Sequence, residues 1–193
     1  MKHGEALVAT EQYQVSRDQL TGELLVPNQV KVRYTAKLRD DGSTSEVEAR
    51  VFPADAPANA APAQQSRGRF RGDSVEVETR SGGTTHDTTV ATQSGAVFYM
   101  NPSFAMVEQI VRRARALGGA EASVPVFLAS ALGQTAAATV RFTSADSARV
   151  SLAGTEIRLA IDSTGRILWG AIPSQDVTIV RTSPDGRAGG SQR

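Results

Sequence analysis

The chain has 193 residues, enough for one substantial domain, and its 40% hydrophobic and 21% charged residues are a globular balance. Lys plus Arg number 21 and Asp plus Glu 20, a net charge of +1 that argues against a dedicated nucleic-acid binder. There is no cysteine and only His3 and His86, which excludes disulfides and thiolate chemistry and argues against Cys- or His-based metal sites.

The first residues, "MKHGEALVATEQYQ", hold no apolar signal core and enter an alternating pattern almost at once. The same start also fits a mature exported protein whose signal has been replaced by Met, so both origins stay open. Period-two alternation then dominates, the mark of strands with one buried face. Val30, Val32, Tyr34, Ala36 and Leu38 fall on one face, and Lys31, Arg33, Thr35, Lys37 and Arg39 on the other. Asp40-Asp41-Gly42 supplies a hairpin turn. The return strand sets Val47, Ala49 and Val51 against Glu46, Glu48 and Arg50, so that bases and acids meet across strands on a solvated face.

The Pro/Ala-rich stretch 53–66 reads as an extended loop within one domain, because the strands before it are too few to stand alone. Beyond it, "RFRGDSVEVETRSGG" contains Arg71-Gly72-Asp73, a known adhesion tripeptide. Its place before a clean strand reads instead as turn chemistry. "THDTTVAT" follows as a strand, in which His86 and Asp87 point to opposite faces and cannot form a side-by-side acid/base pair. His86 is accordingly read as a surface histidine.

After a short buried run, "GAVFYM", the period changes. Over about 103–118 the spacing predicts one amphipathic helix, with Phe104, Val107, Ile110, Val111, Ala114 and Leu117 on the buried side. Glu108, Arg112, Arg113 and Arg115 fall on the other side, as a solvated face. Asn101 or Ser103 can cap its start and Gly118-Gly119 end it. An antiparallel meander follows in "VPVFLAS", "AAATVRFT", "SARVSLA", "TEIRLAID", "RILWG" and "VTIVR". In this meander Asp146, Glu156 and Asp162 read as turn or outer-face residues. A polar, Gly-rich tail is expected over 182–193.

The fold expectation is therefore mainly β: a curved antiparallel sheet, half-barrel or barrel, of about nine to eleven strands with one helix. A helix of about 16 residues is ~24 Å long and covers only a few strands. The remaining apolar face must curl on itself, meet a second sheet, or stay open as a groove. Tyr34, Phe98, Phe127 and Trp169 would line such a face and are the candidate ligand-binding residues.

Two segments, "RYTAKLRDDGSTSEVEARVF" and "RVSLAGTEIRLAIDSTGRILWGAIPSQDVTIVR", resemble the half-barrel of lipoprotein-carrier-like and DUF3108-like bacterial envelope proteins. The resemblance carries no catalytic residues. It implies an exported bacterial protein, periplasmic or extracellular, whose concave face holds a lipophilic ligand or an envelope partner. Without an export signal the setting would be cytoplasmic. No catalytic residue, metal or cofactor is expected; the alternatives are a small cofactorless enzyme on the same scaffold, or a structural module of a larger exported protein.

Overall fold

A computed structural model describes residues 1–129 and 133–182. The end of the "VPVFLAS" segment and the tail from residue 183 lie outside the described residues, whereas Thr182, assigned to the tail from sequence, forms a β-bridge. The first part of the chain holds β1 (Lys2–His3), β2 (Ala6–Leu7), β3 (Thr10–Val15), β4 (Gln19–Val26), β5 (Val30–Leu38) and β6 (Thr44–Pro53). Next come β7 (Gln64–Arg71), β8 (Ser74–Ser81), β9 (Thr84–Ala91), β10 (Val97–Tyr99) and α1 (Phe104–Leu117). The last part holds β11 (Glu121–Leu128), β12 (Gln134–Ser144), β13 (Ser147–Leu152), β14 (Thr155–Ile161), β15 (Ile167–Ile172) and β16 (Val177–Val180).

These strands form two sheets rather than one. A seven-stranded sheet runs β3 to β9 in chain order, and a nine-stranded sheet runs β10 to β16 and then takes up β1 and β2 at its edge. Pairing is antiparallel throughout, except for the parallel pair β10–β11. The expectation of a mainly β, antiparallel architecture holds; of the forms it allowed, a closed barrel is not found, because both sheets are open. The strands exceed the expected nine to eleven because the N-terminal stretch divides into β1, β2, β3 and β4, and because β7, whose Gln, Gly and Arg residues hide an apolar alternation, is also a strand.

The turn chemistry explains much of the register. Gly72 has φ +62° in the two-residue connection between β7 and β8, where a left-handed first turn residue matches the strand twist. Arg71-Gly72-Asp73 is thus a hairpin turn. Gly42 closes the β5–β6 hairpin at φ +81°. The loop after Pro53 folds back on the outer face, where Lys31 Nζ donates to the Ala56 carbonyl (2.7 Å) and Phe52 lies beneath Lys31 and Arg33.

Between the sheets lies α1, and this decides how the core is divided. Phe104, Val107, Ile110, Val111 and Ala114 pack with Val124, Val140, Val150, Ile157 and Leu159 of the nine-stranded sheet. Ala105 and Met106 face the other way, into a cluster with Leu20, Leu24, Tyr34, Phe70 and Phe127. Full burial of each aliphatic side chain is worth roughly 1.5–3 kcal/mol, so both faces of the helix contribute to holding the sheets together. The helix starts as expected: Ser103 Oγ accepts from the Met106 amide at 3.2 Å. Leu117 departs from its predicted place and is 48% exposed, because the helix ends there beyond the sheets.

Candidate binding site

One strand carboxylate, Glu11, and one helix carboxylate, Glu108, organise the junction of sheets and helix. Glu11, on edge strand β3, reaches the start of α1. Its carboxylate accepts from the Phe104 amide (2.7 Å), the Ala105 amide (3.0 Å), the Ser103 hydroxyl (2.6 Å) and the Tyr34 hydroxyl (2.6 Å). A negative charge at a helix N-terminus satisfies otherwise unpaired amides and complements the helix dipole. Burial first, and then the Glu11 charge, pushes the Tyr34 phenol well above its ordinary range, so it stays a donor.

One turn into the helix, Glu108 is 1% exposed. This corrects the expectation that it lies on a solvated face, and the reason is that the second sheet covers that side. Its carboxylate accepts from Tyr13 of β3 (2.8 Å), the Ile167 amide of β15 (2.9 Å), Arg112 (3.0 Å) and Arg181 (2.7 Å). Arg181 also donates to the Ile167 carbonyl (2.7 Å), stacks on the Tyr13 ring at 4.8 Å and hydrogen-bonds the Tyr13 hydroxyl. One buried carboxylate therefore ties both sheets to the helix. Burial, followed by the Glu108 charge, raises the Tyr13 phenol far above its ordinary value.

The other helix arginines are also engaged. Arg113 pairs with Asp41 at 3.2 Å, while Arg115 donates to the Ala145 and Ser163 carbonyls and lies over the Phe142 ring. The solvated basic face read from sequence is thus replaced by clasps onto three different loops and strands.

Above this network a cleft of about 590 Å³ opens between β3 and β16. Met1, Ala9, Phe104, Ile167 and Ile179 give it an apolar wall, and Glu11, Gln12, Tyr13, Arg166 and Arg181 a polar one. None of the four residues singled out by sequence lines it. Tyr34, Phe98 and Phe127 are buried in the second core cluster, with Phe127 stacked on Phe98 and edge-on to Phe70. Trp169 is 42% exposed on the outer face of the nine-stranded sheet. The expectation that it faces the core with Ile167 fails because a β-bulge pairs Ile161 with Ile167 but Ala160 with Trp169. The extra residue, Leu168, shifts the alternation by one and turns Trp169 outward.

Sequence reasoning missed Glu11, Tyr13, Glu108 and Arg181. A Glu in the first turns of a helix beside apolar residues is an ordinary surface pattern; only the arrival of β3 and β16 over it marks it as buried. His86 and Asp87 are exposed on β9. Asp162 accepts from the Thr164 and Arg166 amides in its turn.

Comparisons with known proteins show the fold. No family model matches the chain, and no curated protein matches it. It is similar to the crystal structure, at 1.80 Å resolution, of a DUF1089 family protein from Pseudomonas aeruginosa, with a TM-score of 0.64 and 15% identity. The likeness covers 91% of this chain and 92% of that one. The likeness shows a shared β-rich fold, and the resemblance to DUF3108-like half-barrels finds no support. No described helix is long and apolar enough to cross a membrane.

Proposed function

We propose that the protein is a non-catalytic binding protein that holds a lipophilic small molecule with a polar end in the cleft between its two sheets. The observation that carries this reading is the division of the cleft wall into an apolar side (Ala9, Phe104, Ile179) and a polar side (Gln12, Arg166, Arg181). Binding sites for small molecules commonly combine such a wall with a few placed polar groups. Chemistry is disfavoured by how the carboxylates are used. Glu11 and Glu108 each accept four hydrogen bonds from structural donors, so both carboxylates are taken up in holding the sheets to the helix. An exported, periplasmic or extracellular setting fits a carrier of this kind, and cell fractionation of the native protein tests it.

The ligand reading is tested by native mass spectrometry of the protein purified from a bacterial host, with thermal shifts against single-chain and double-chain lipids. A co-purifying lipid mass and a stabilising shift are expected. Replacing exposed Gln12 at the mouth with Trp should remove both without disturbing the core. Reproducible absence of a bound mass together with no lipid-induced shift overturns the reading.

A further inference from the structure

The outer face of the nine-stranded sheet carries an arrangement that folding alone disfavours. Strand register lines up Glu121, Arg141, Arg149, Arg158, Ala171, Thr178, Lys2 and Leu7 in one continuous cross-strand row. Arg141, Arg149 and Arg158 are therefore directly opposite one another on three successive strands, which stand ~4.8 Å apart. Like charges in that relation destabilise a sheet. Glu121 pairs with Arg141 (2.6 Å) and Glu156 with Arg158 (2.8 Å). Arg149, between them, is exposed and has no ion pair among the described residues. The sheet's other acids, Glu5, Asp146, Asp162 and Asp176, sit in the connections between strands.

Beside this row lies an apolar one. Trp169 pairs with Ala160 on one side and Val180 on the other, and the bulge adds Leu168. Leu168, Trp169 and Val180 are all exposed large hydrophobic residues, as is Leu7 at the end of the basic row. A tryptophan with aliphatic neighbours, flanked by arginines, matches the chemistry of an anionic bilayer surface, with the indole at headgroup depth and the cations on lipid phosphates.

We infer that this face docks onto anionic phospholipid membranes, with Arg149 and Arg158 reading the charge and Trp169, Leu168 and Val180 entering the interface. Two features favour lipid over nucleic acid: the aliphatic residues offer no base stacking, and the whole chain carries a net charge of only +1. Docking on the outer face does not require the cleft to be occupied, so it stands or falls separately from the ligand reading.

The test uses the full chain, whose single tryptophan is Trp169 itself. With vesicles of phosphatidylcholine containing roughly one-third phosphatidylglycerol, Trp169 emission should shift to the blue, bromine-labelled lipid should quench it, and the protein should co-sediment. Neutral vesicles should give none of these, and 0.5 M salt should reverse them, expected as an order-of-magnitude loss of binding. Arg149→Glu, at an exposed site with no ion pair to lose, should weaken partitioning roughly 10-fold or more, since each basic residue near an anionic surface contributes about a 5-fold factor. Leu168→Ser should abolish the blue shift while the fold, followed by circular dichroism, persists. An unshifted Trp169 with no co-sedimentation overturns the inference. So does equal binding to neutral vesicles, or saturable binding to a DNA duplex in preference to the anionic vesicles.

Discussion

At the scale of the residue, Gly22 shows how one small side chain sets the site. It lies on β4 opposite Tyr13 and Tyr34, and the Tyr34 ring crosses over it to reach Glu11. A Cβ at Gly22 would stand 2.3 Å from the Tyr34 hydroxyl oxygen, 2.5 Å from Cζ and 2.9 Å from the Gln12 carbonyl oxygen. Gly22→Ala should therefore cost on the order of 1–3 kcal/mol, read as a lower urea midpoint by circular dichroism. Adding Tyr34→Phe should not restore it, because the ring carbon itself is in the way; full restoration would show that the hydroxyl alone is the obstacle. The sequence conceals this role, since a glycine inside "QLTGELLV" reads as a break in a strand rather than as the seat of an aromatic ring.

At the scale of the element, α1 is the piece whose two sides were read differently by sequence and structure. Local pattern found the helix, a cap at Asn101 or Ser103, and the face that packs on the nine-stranded sheet. It could not show that the opposite side is covered as well, and so it placed Glu108 in solvent. Because Glu108 balances Arg112 and Arg181 inside the protein, Glu108→Gln should leave uncompensated positive charge at the junction. The expected cost is about 3–5 kcal/mol in equilibrium unfolding. Arg181→Met in the same background should recover part of it, since the double variant removes one of the two unmatched charges; a double variant no more stable than the single one would contradict this account. The β15 bulge belongs to the same scale. One extra residue, Leu168, reverses which face Trp169 occupies, and no simple alternation count contains that information.

At the scale of the whole molecule, stability should depend on acid through carboxylates that brace loops against the helix and turns. Desolvation pushes the Asp41 carboxyl up, but hydrogen bonds from Ser43 and the charges of Arg113 and Arg39 outweigh it and hold it below the ordinary range. Asp162 behaves alike: desolvation raises it, and bonds from Thr164 and the Arg166 amide bring it below. Both groups are depressed in the folded state, so their contribution is fully present above the unfolded carboxyl value of about 3.9. It is lost as pH falls through the lower folded values. The melting temperature should thus hold steady from pH 7 to about 5 and drop below about 4. Asp41→Asn should flatten that drop, and an unchanged acid limb in this variant would show that Asp41 contributes nothing to it. Because the Asp41 side of its pair with Arg113 is open to solvent, the effect should shrink in high salt.

By itself the sequence determined what local chemistry controls. This comprises the strands from β5 onward with clean alternation, the Gly-based hairpins at Gly42 and Gly72, the helix with its cap, and an antiparallel, mainly β class. These follow from side-chain period and backbone freedom, which act over a few residues. Only the tertiary structure decided that the apolar surplus meets a second sheet, that α1 is buried on two sides, and that Glu11 and Glu108 become the joints between layers. It also decided that three arginines share one row. Each of these depends on contacts between segments far apart in the chain, such as Tyr13 with Arg181, whose juxtaposition is set by sheet register and chain topology rather than by any local pattern.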